Sequence, residues 1–358
     1  MNVLSSKRFS ESCSDNPKSA IENPKSKGGP MKKNLALLLI VAALGAGAIA
    51  QAQQTGKIYR IGFLDLSTAS GSAVLWEAFR QELSKLGWVE GKNFTIEYRF
   101  AEQKNERLPE LAAELVRLKV DLIVTAATLP VLAAKSATTT IPIVMASVAD
   151  PVGAGLVASL ARPGGNVTGF ASLATDLGTK RLEVLKDAVP KLARVGLLWP
   201  GGLTMGTDLQ LKELRPAAVF LKLKLEEIET QLDAKGLESA FQTAKQKQVK
   251  AIMTTSGPRF FAERRRIVEL AAKYRLPAIY YQKEFVDEGG LMFYGADYDD
   301  LFRKSAHYVD RILKGTKPAD LPVQQATKFE FIINLKAAKQ IGLTLSLAFL
   351  SRANKVIQ

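Results

Sequence analysis

From residue 58 onward the chain alternates short apolar runs with longer stretches in which apolar residues recur every three or four positions. The first kind reads as a strand buried on both faces, the second as an amphipathic helix. Strands are predicted over 59–64 (YRIGFL), 94–98, 121–125 (DLIVT) and 141–145 (IPIVM), and helices over 73–86, 106–118 and 129–137. The first helix carries Val74, Phe79, Leu83 and Leu86 at helical spacing, and Gly87 stops it. A helix over 152–160, a turn-rich stretch at 161–166 (ARPGGN) and a short strand over 167–170 follow. Then the rhythm restarts. Strands are predicted over 194–199, 223–228, 249–254 and 277–281. Helices are predicted over 176–189, 208–221 (interrupted at Pro216), 237–247, 259–274 and 299–313. Strand–helix–strand order of this kind implies right-handed βαβ units and parallel sheets covered on both faces. The chain therefore reads as two α/β halves of about 120 residues each, a usual domain size.

In an open parallel sheet, ligands bind beyond the carboxyl ends of the strands, where loops and helix N-termini converge. That geometry turns the strand order into a set of candidate residues. They are Ser67, Ser70 and Ser72 after the first strand, Thr128 after DLIVT, and Ser147 and Asp150 after IPIVM. From the second half come Trp199, Ser256, Tyr280, Tyr281, Tyr294 and Asp297. Each has a plainer reading. Asp150 and Asp297 are favoured helix N-caps, the serines suit loop solvation, and the aromatics suit a core. Their shared location at one edge of the sheets favours a site for a small zwitterion with an apolar side group.

Composition narrows the chemistry. The chain has 358 residues, 47% hydrophobic and 23% charged, the balance of a folded globular protein. One Cys and one His exclude an intramolecular disulfide and a Cys/His zinc cluster. Any histidine-dependent nucleophile would rest on His307, which falls in the middle of a predicted helix. The stretch 87–93 is too short for a phosphate loop and lacks its Ser/Thr, and Gly153-Ala154-Gly155 lacks the third glycine of a dinucleotide fingerprint. The expectation is a binding protein rather than an enzyme, with no cofactor and no metal. Of the net charge of +14, residues 1–52 carry +4, leaving +10 on the remainder. Those charges are spread over helix faces, as where Arg264, Arg265 and Arg266 lie beside Glu263 and Glu269. This is a solvated surface rather than a nucleic-acid site.

Residues 31–52 open with Lys32 and Lys33 and continue with a charge-free run over 35–50. Small residues at Ala48, Ala50 and Ala52 follow, the pattern of a cleavable signal peptide. No Cys follows the run, so no lipid anchor is expected. Residues 1–30, which hold Cys13, read as a mis-called extension or a disordered tail. A periplasmic location is expected.

The stretches LGWVEGKN (86–93), LPELAAELVRLKV (108–120), ADPVGAGLVASLARPGGNVTG (149–169) and EFVDEGGLMFYG (284–295), with 314–322 and 331–336, resemble the tryptophan/tyrosine-type substrate-binding proteins of ABC transporters. The resemblance covers nearly all of 59–358. It implies the type I periplasmic binding protein fold: two Rossmann-like, doubly wound lobes joined by a three-crossover hinge. The expected lobes are 58–172 plus 290–314 and 173–289 plus 315–358, with crossovers near 171–176, near 285–290 and in 314–322. It also implies a monomer that closes on an amino-acid-like ligand and docks on an inner-membrane permease. A ligand-sensing module that docks on a receptor is the alternative. By resemblance, Thr128 and Ser147 hold the ligand carboxylate, Asp150 and Asp297 form a polar cradle, and Tyr281 and Tyr294 form the aromatic side. One departure stands out: Ala126-Ala127-Thr128 occupies a place where relatives often carry Gly before the Thr.

Overall fold

The computed structural model describes residues 57–358 apart from 203. The expected signal segment, the residues before it and Cys13 lie outside the described residues.

Two sheets form from the predicted apolar runs. The first contains β1 (Tyr59–Asp65), β2 (Phe94–Phe100), β3 (Leu122–Ala126), β4 (Ile143–Val148), β5 (Val167–Ala171) and the two-residue β11 (Gln324–Gln325). Its order is β2-β1-β3-β4-β5-β11, and every pairing is parallel. Its helices are α1 (Ala69–Lys85), α2 (Leu108–Arg117), α3 (Thr128–Ala137) and α10 (Tyr298–Leu313), the last packed on α1 and β4.

The second sheet contains β6 (Arg194–Pro200), β7 (Lys224–Thr230), β8 (Ala251–Thr254), β9 (Ala278–Tyr280), β10 (Met292–Ala296), β12 (Phe329–Asn334) and β13 (Lys355–Ile357). Its order is β7-β6-β8-β9-β10-β12-β13, with β12 antiparallel to β10. Helices α4 (Ala174–Ala188), α5 (Met205–Phe220), α6 (Ala234–Gln246), α7 (Pro258–Ala262), α8 (Arg264–Lys273), α9 (Glu284–Asp287), α11 (Leu335–Ile341) and α12 (Leu347–Leu350) belong to this half. Both lobes repeat one winding scheme, in which strand order reverses between β1 and β3 and again between β6 and β8. Those reversals are the crevices where doubly wound sheets bind ligands.

Within the described residues the chain passes between lobes three times: at 172–173, at Asp297, and at 326–328. Two of the expected crossovers are therefore displaced. The boundary expected at 290 moves to Asp297, because the apolar run Met292–Ala296 pairs with β9 and β12 of the second sheet. The segment 314–322 does not cross. Leu321 is fully buried and its carbonyl accepts from Thr168 Oγ1 at 2.6 Å, while Tyr308 Oη donates to Pro322 O at 2.6 Å. Both bonds hold the segment on the first lobe.

Three predicted helices also differ. Residues 152–160 form turns, since Pro151, Gly153 and Gly155 (φ +65°) oppose a helix there. The helix predicted over 259–274 breaks at Glu263, giving α7 and α8. Pro216 interrupts nothing; α5 runs through it on its exposed face.

The lobes are in contact. Arg264 Nη1, on the second lobe, donates to Gly71 O on the first at 3.3 Å. One apolar core runs from Phe63, Trp76 and Phe302 to Phe260, Phe261 and Phe285. Burying each such ring stabilises the folded chain by about 1.5–3 kcal/mol.

Candidate functional site

The cavity between the lobes lies where both strand-order reversals face each other. Its walls come from the exits of β1, β3 and β4 on one side and of β6, β8 and β9 on the other, with α10 along one edge. Its volume is about 140 Å³, close to the roughly 150 Å³ that admits a benzene ring in an engineered protein core. The space therefore suits one aromatic side group. Leu66, Leu75, Phe260, Phe261 and Phe302 supply apolar wall.

Five predicted residues meet here: Ser72, Thr128, Ser147, Ser256 and Tyr281. Thr128 is the first residue of α3, whose first-turn amides have no partner within the helix. Such a terminus favours a negative charge. Tyr281 follows β9, is buried, and donates its hydroxyl to Gly257 O at 2.6 Å. Burial pushes its phenol well above its usual range.

The other seven candidates lie outside the wall. Asp150 accepts from Gly153 N at 2.8 Å and so caps a turn. Asp297 accepts from Asp300 N at 3.0 Å and caps α10. For both acids the capping reading describes what the carboxylate does. Tyr280 is fully buried and stacked on Phe285 with centroids 4.6 Å apart. Tyr294 packs edge-on against Phe331. Trp199 is half-buried near the end of β6, Ser67 is buried beside Asp65, and Ser70 is exposed on the first turn of α1.

The wall also holds residues that the sequence reading passed over. Asp65 ends β1, is 5% exposed, and accepts from Ser67 N at 2.8 Å and Trp76 Nε1 at 2.6 Å. Burial raises its carboxyl above the usual range, and those donors partly offset it. Arg259 lines the same cavity from the second lobe; among the described residues it bonds through Nη1 to Gly201 O at 3.3 Å, and its buried Nε has no partner. Burial lowers its guanidinium from the ordinary value. Tyr298, in the first turn of α10, faces the hydroxyls of Ser147 and Ser172. Gln210 brackets Ser256, accepting from its N–H at 2.6 Å and donating to its carbonyl at 3.0 Å. An acidic residue closing an otherwise apolar strand was the available signal for Asp65. Gln210 and Tyr298 lie on helices and gave none.

Ala127, just before α3, adopts φ +65°, ψ 163°. A side chain in that region costs about 1–3 kcal/mol. The sequence departure at this position thus falls where glycine would be unstrained. Ala127→Gly is expected to stabilise the protein by about 1 kcal/mol in urea unfolding, after the added flexibility of the unfolded chain is counted. An unchanged or lower midpoint would show that no strain is stored there.

Among the described residues, no group of three or more His, Cys, Asp or Glu side chains is placed to hold a metal ion. Among them too, no helix is long and apolar enough to cross a membrane.

Comparison with known proteins gives consistent results. Residues 71–357 match the family described as ABC transporter substrate binding protein. A tyrosine-binding protein from Clostridioides difficile (strain R20291) is 28% identical over 268 residues, 75% of this chain and 76% of that protein. Among solved structures, a conserved domain protein from Vibrio cholerae is 29% identical, with a TM-score of 0.76 over 84% of this chain and 100% of that one. An ABC domain from Streptococcus pneumonia in complex with L-Trp is 26% identical, with a TM-score of 0.73 over 83% and 100%.

Proposed function

Starting from the fact that this chain belongs to the ABC transporter substrate-binding protein family, we propose that it binds an aromatic amino acid between its lobes and delivers it to a membrane permease for import. The carrying observation is the interlobe cavity, which combines room for one ring with hydroxyls and a helix N-terminus. The relatives' tyrosine and L-Trp ligands support the same class. Such a protein carries out no reaction. Its work is a difference in affinity between open and closed lobes, with the three crossovers as hinge. A monomer in the periplasm, exported by a cleaved leader, fits this role.

Thermal unfolding with L-tyrosine, L-tryptophan and L-phenylalanine tests the reading. A ligand at 100 times its dissociation constant stabilises a protein by about 2.7 kcal/mol. At least one of the three is expected to produce that gain, and sugars are expected to produce none. Stabilisation by a sugar and by no amino acid would overturn the assignment.

A further inference from the structure

Arg181 projects from the buried face of α4 and is only 2% exposed. Among the described residues its guanidinium has neutral partners alone: Ala174 O at 3.0 Å, Tyr294 O at 3.4 Å and Ser256 Oγ at 3.2 Å. Among the described residues its Nε is buried with no partner, and the titratable groups near it are the phenols of Tyr298, Tyr281 and Tyr294, neutral at neutral pH, rather than a carboxylate. A buried cation without an anion costs several kcal/mol, so such a group calls for a counter-charge. Burial does lower this one, to about 10, yet it stays protonated at neutral pH.

The route for its charge is Ser256. That hydroxyl accepts from Arg181, which leaves its own hydrogen free to donate. Gln210 fixes the main chain of Ser256 from both sides, and the residue lines the cavity. Tyr298, with Ser147 and Ser172 beside it, borders the same end. We infer that Arg181 is a positioning residue which, through Ser256, fixes the ligand's carboxylate at the hinge end of the cavity and so selects amino acids over the corresponding amines. This assignment rests on the aromatic amino-acid reading above.

The test compares L-tyrosine with tyramine, which lacks only the carboxylate, by calorimetric titration of the purified protein and its Arg181→Gln and Ser256→Ala variants. Hydrogen bonds to charged groups are worth enough that each variant is expected to lose about 10- to 100-fold in L-tyrosine affinity. Tyramine affinity is expected to change less than about threefold in the same variants. Equal loss for both ligands, or loss for neither, would overturn the inference and reduce Arg181 to a packing role. Should Arg181→Gln fail to fold, Ser256→Ala alone decides between these results, since it deletes one hydroxyl and leaves the guanidinium in place. If the unaltered protein binds tyramine as tightly as L-tyrosine, the carboxylate assignment fails while the aromatic reading stands. If it binds no aromatic amino acid, the aromatic reading fails and the assignment with it.

Discussion

Gly169→Ala is expected to destabilise the protein by about 4 kcal/mol, a large share of the about 5–15 kcal/mol that holds a typical protein folded. Gly169 sits in β5 at φ +138°, where the register to β4 shifts. A Cβ there would lie 2.1 Å from Met145 O, 2.7 Å from Met145 N and 2.8 Å from Met145 C. These are main-chain atoms of the neighbouring strand, so no side chain can swing aside. Gly155→Ala is the control: its φ is +65°, but nothing lies within 4 Å of the added carbon. It carries the backbone strain without the clash and is expected to cost about 1 kcal/mol. Urea unfolding of the two variants separates the causes, and equal losses would refute the clash.

Glu284→Gln is expected to have almost no effect on stability at pH 4 and to stabilise by about 3 kcal/mol at pH 8. Glu284 is 7% exposed, and among the described residues no neighbouring side chain bonds either carboxyl oxygen. Burial pushes it up to about 7, with its own main-chain N–H and Lys283 opposing the rise and Asp299 and Asp287 adding to it. Lys283 is engaged elsewhere: its ammonium bonds Asp299 Oδ2 at 2.6 Å, joining the second lobe to α10 of the first. Below the ordinary value of 4.5 the group is neutral whether the chain is folded or not. Between there and about pH 7 the unfolded chain releases a proton that the folded protein keeps, so stability falls as pH rises. Above pH 7 the whole penalty is present. The amide cannot ionise and escapes it. Melting curves at the two pH values check this, with a gain of roughly 6 °C expected at the higher one. A variant whose advantage is the same at both pH values would sink the explanation.

Fold and site were only partly legible in the sequence. Glu284 lies in a stretch quoted for its resemblance, yet its burial comes from α9 packing under β10 and β12. Thr128, Ser147, Ser256 and Tyr281 were found because strand exits converge, a rule that needs only the strand order. Arg181 was missed because an arginine in an amphipathic helix usually points to water. Its neighbours one turn away, Gly178 and Leu185, placed it on the apolar face, which was the one readable hint. Asp150 and Asp297 went the other way, since an acid at a loop end serves equally as a cap or a ligand until its partner is known.

What the chain determined alone is the order of its elements, the pairing of two α/β halves and the edge at which a ligand would bind. Hydrophobic period is a local property, and continuous apolar runs specify strands buried on both faces. What only the tertiary structure decided is where the chain crosses between lobes and which polar groups face the cavity. β10 and the two-residue β11 take their lobe from hydrogen bonds to strands more than a dozen residues away in sequence, and no local pattern records those partners. The cavity wall likewise depends on which side of each loop turns inward, and that is fixed by packing between the halves.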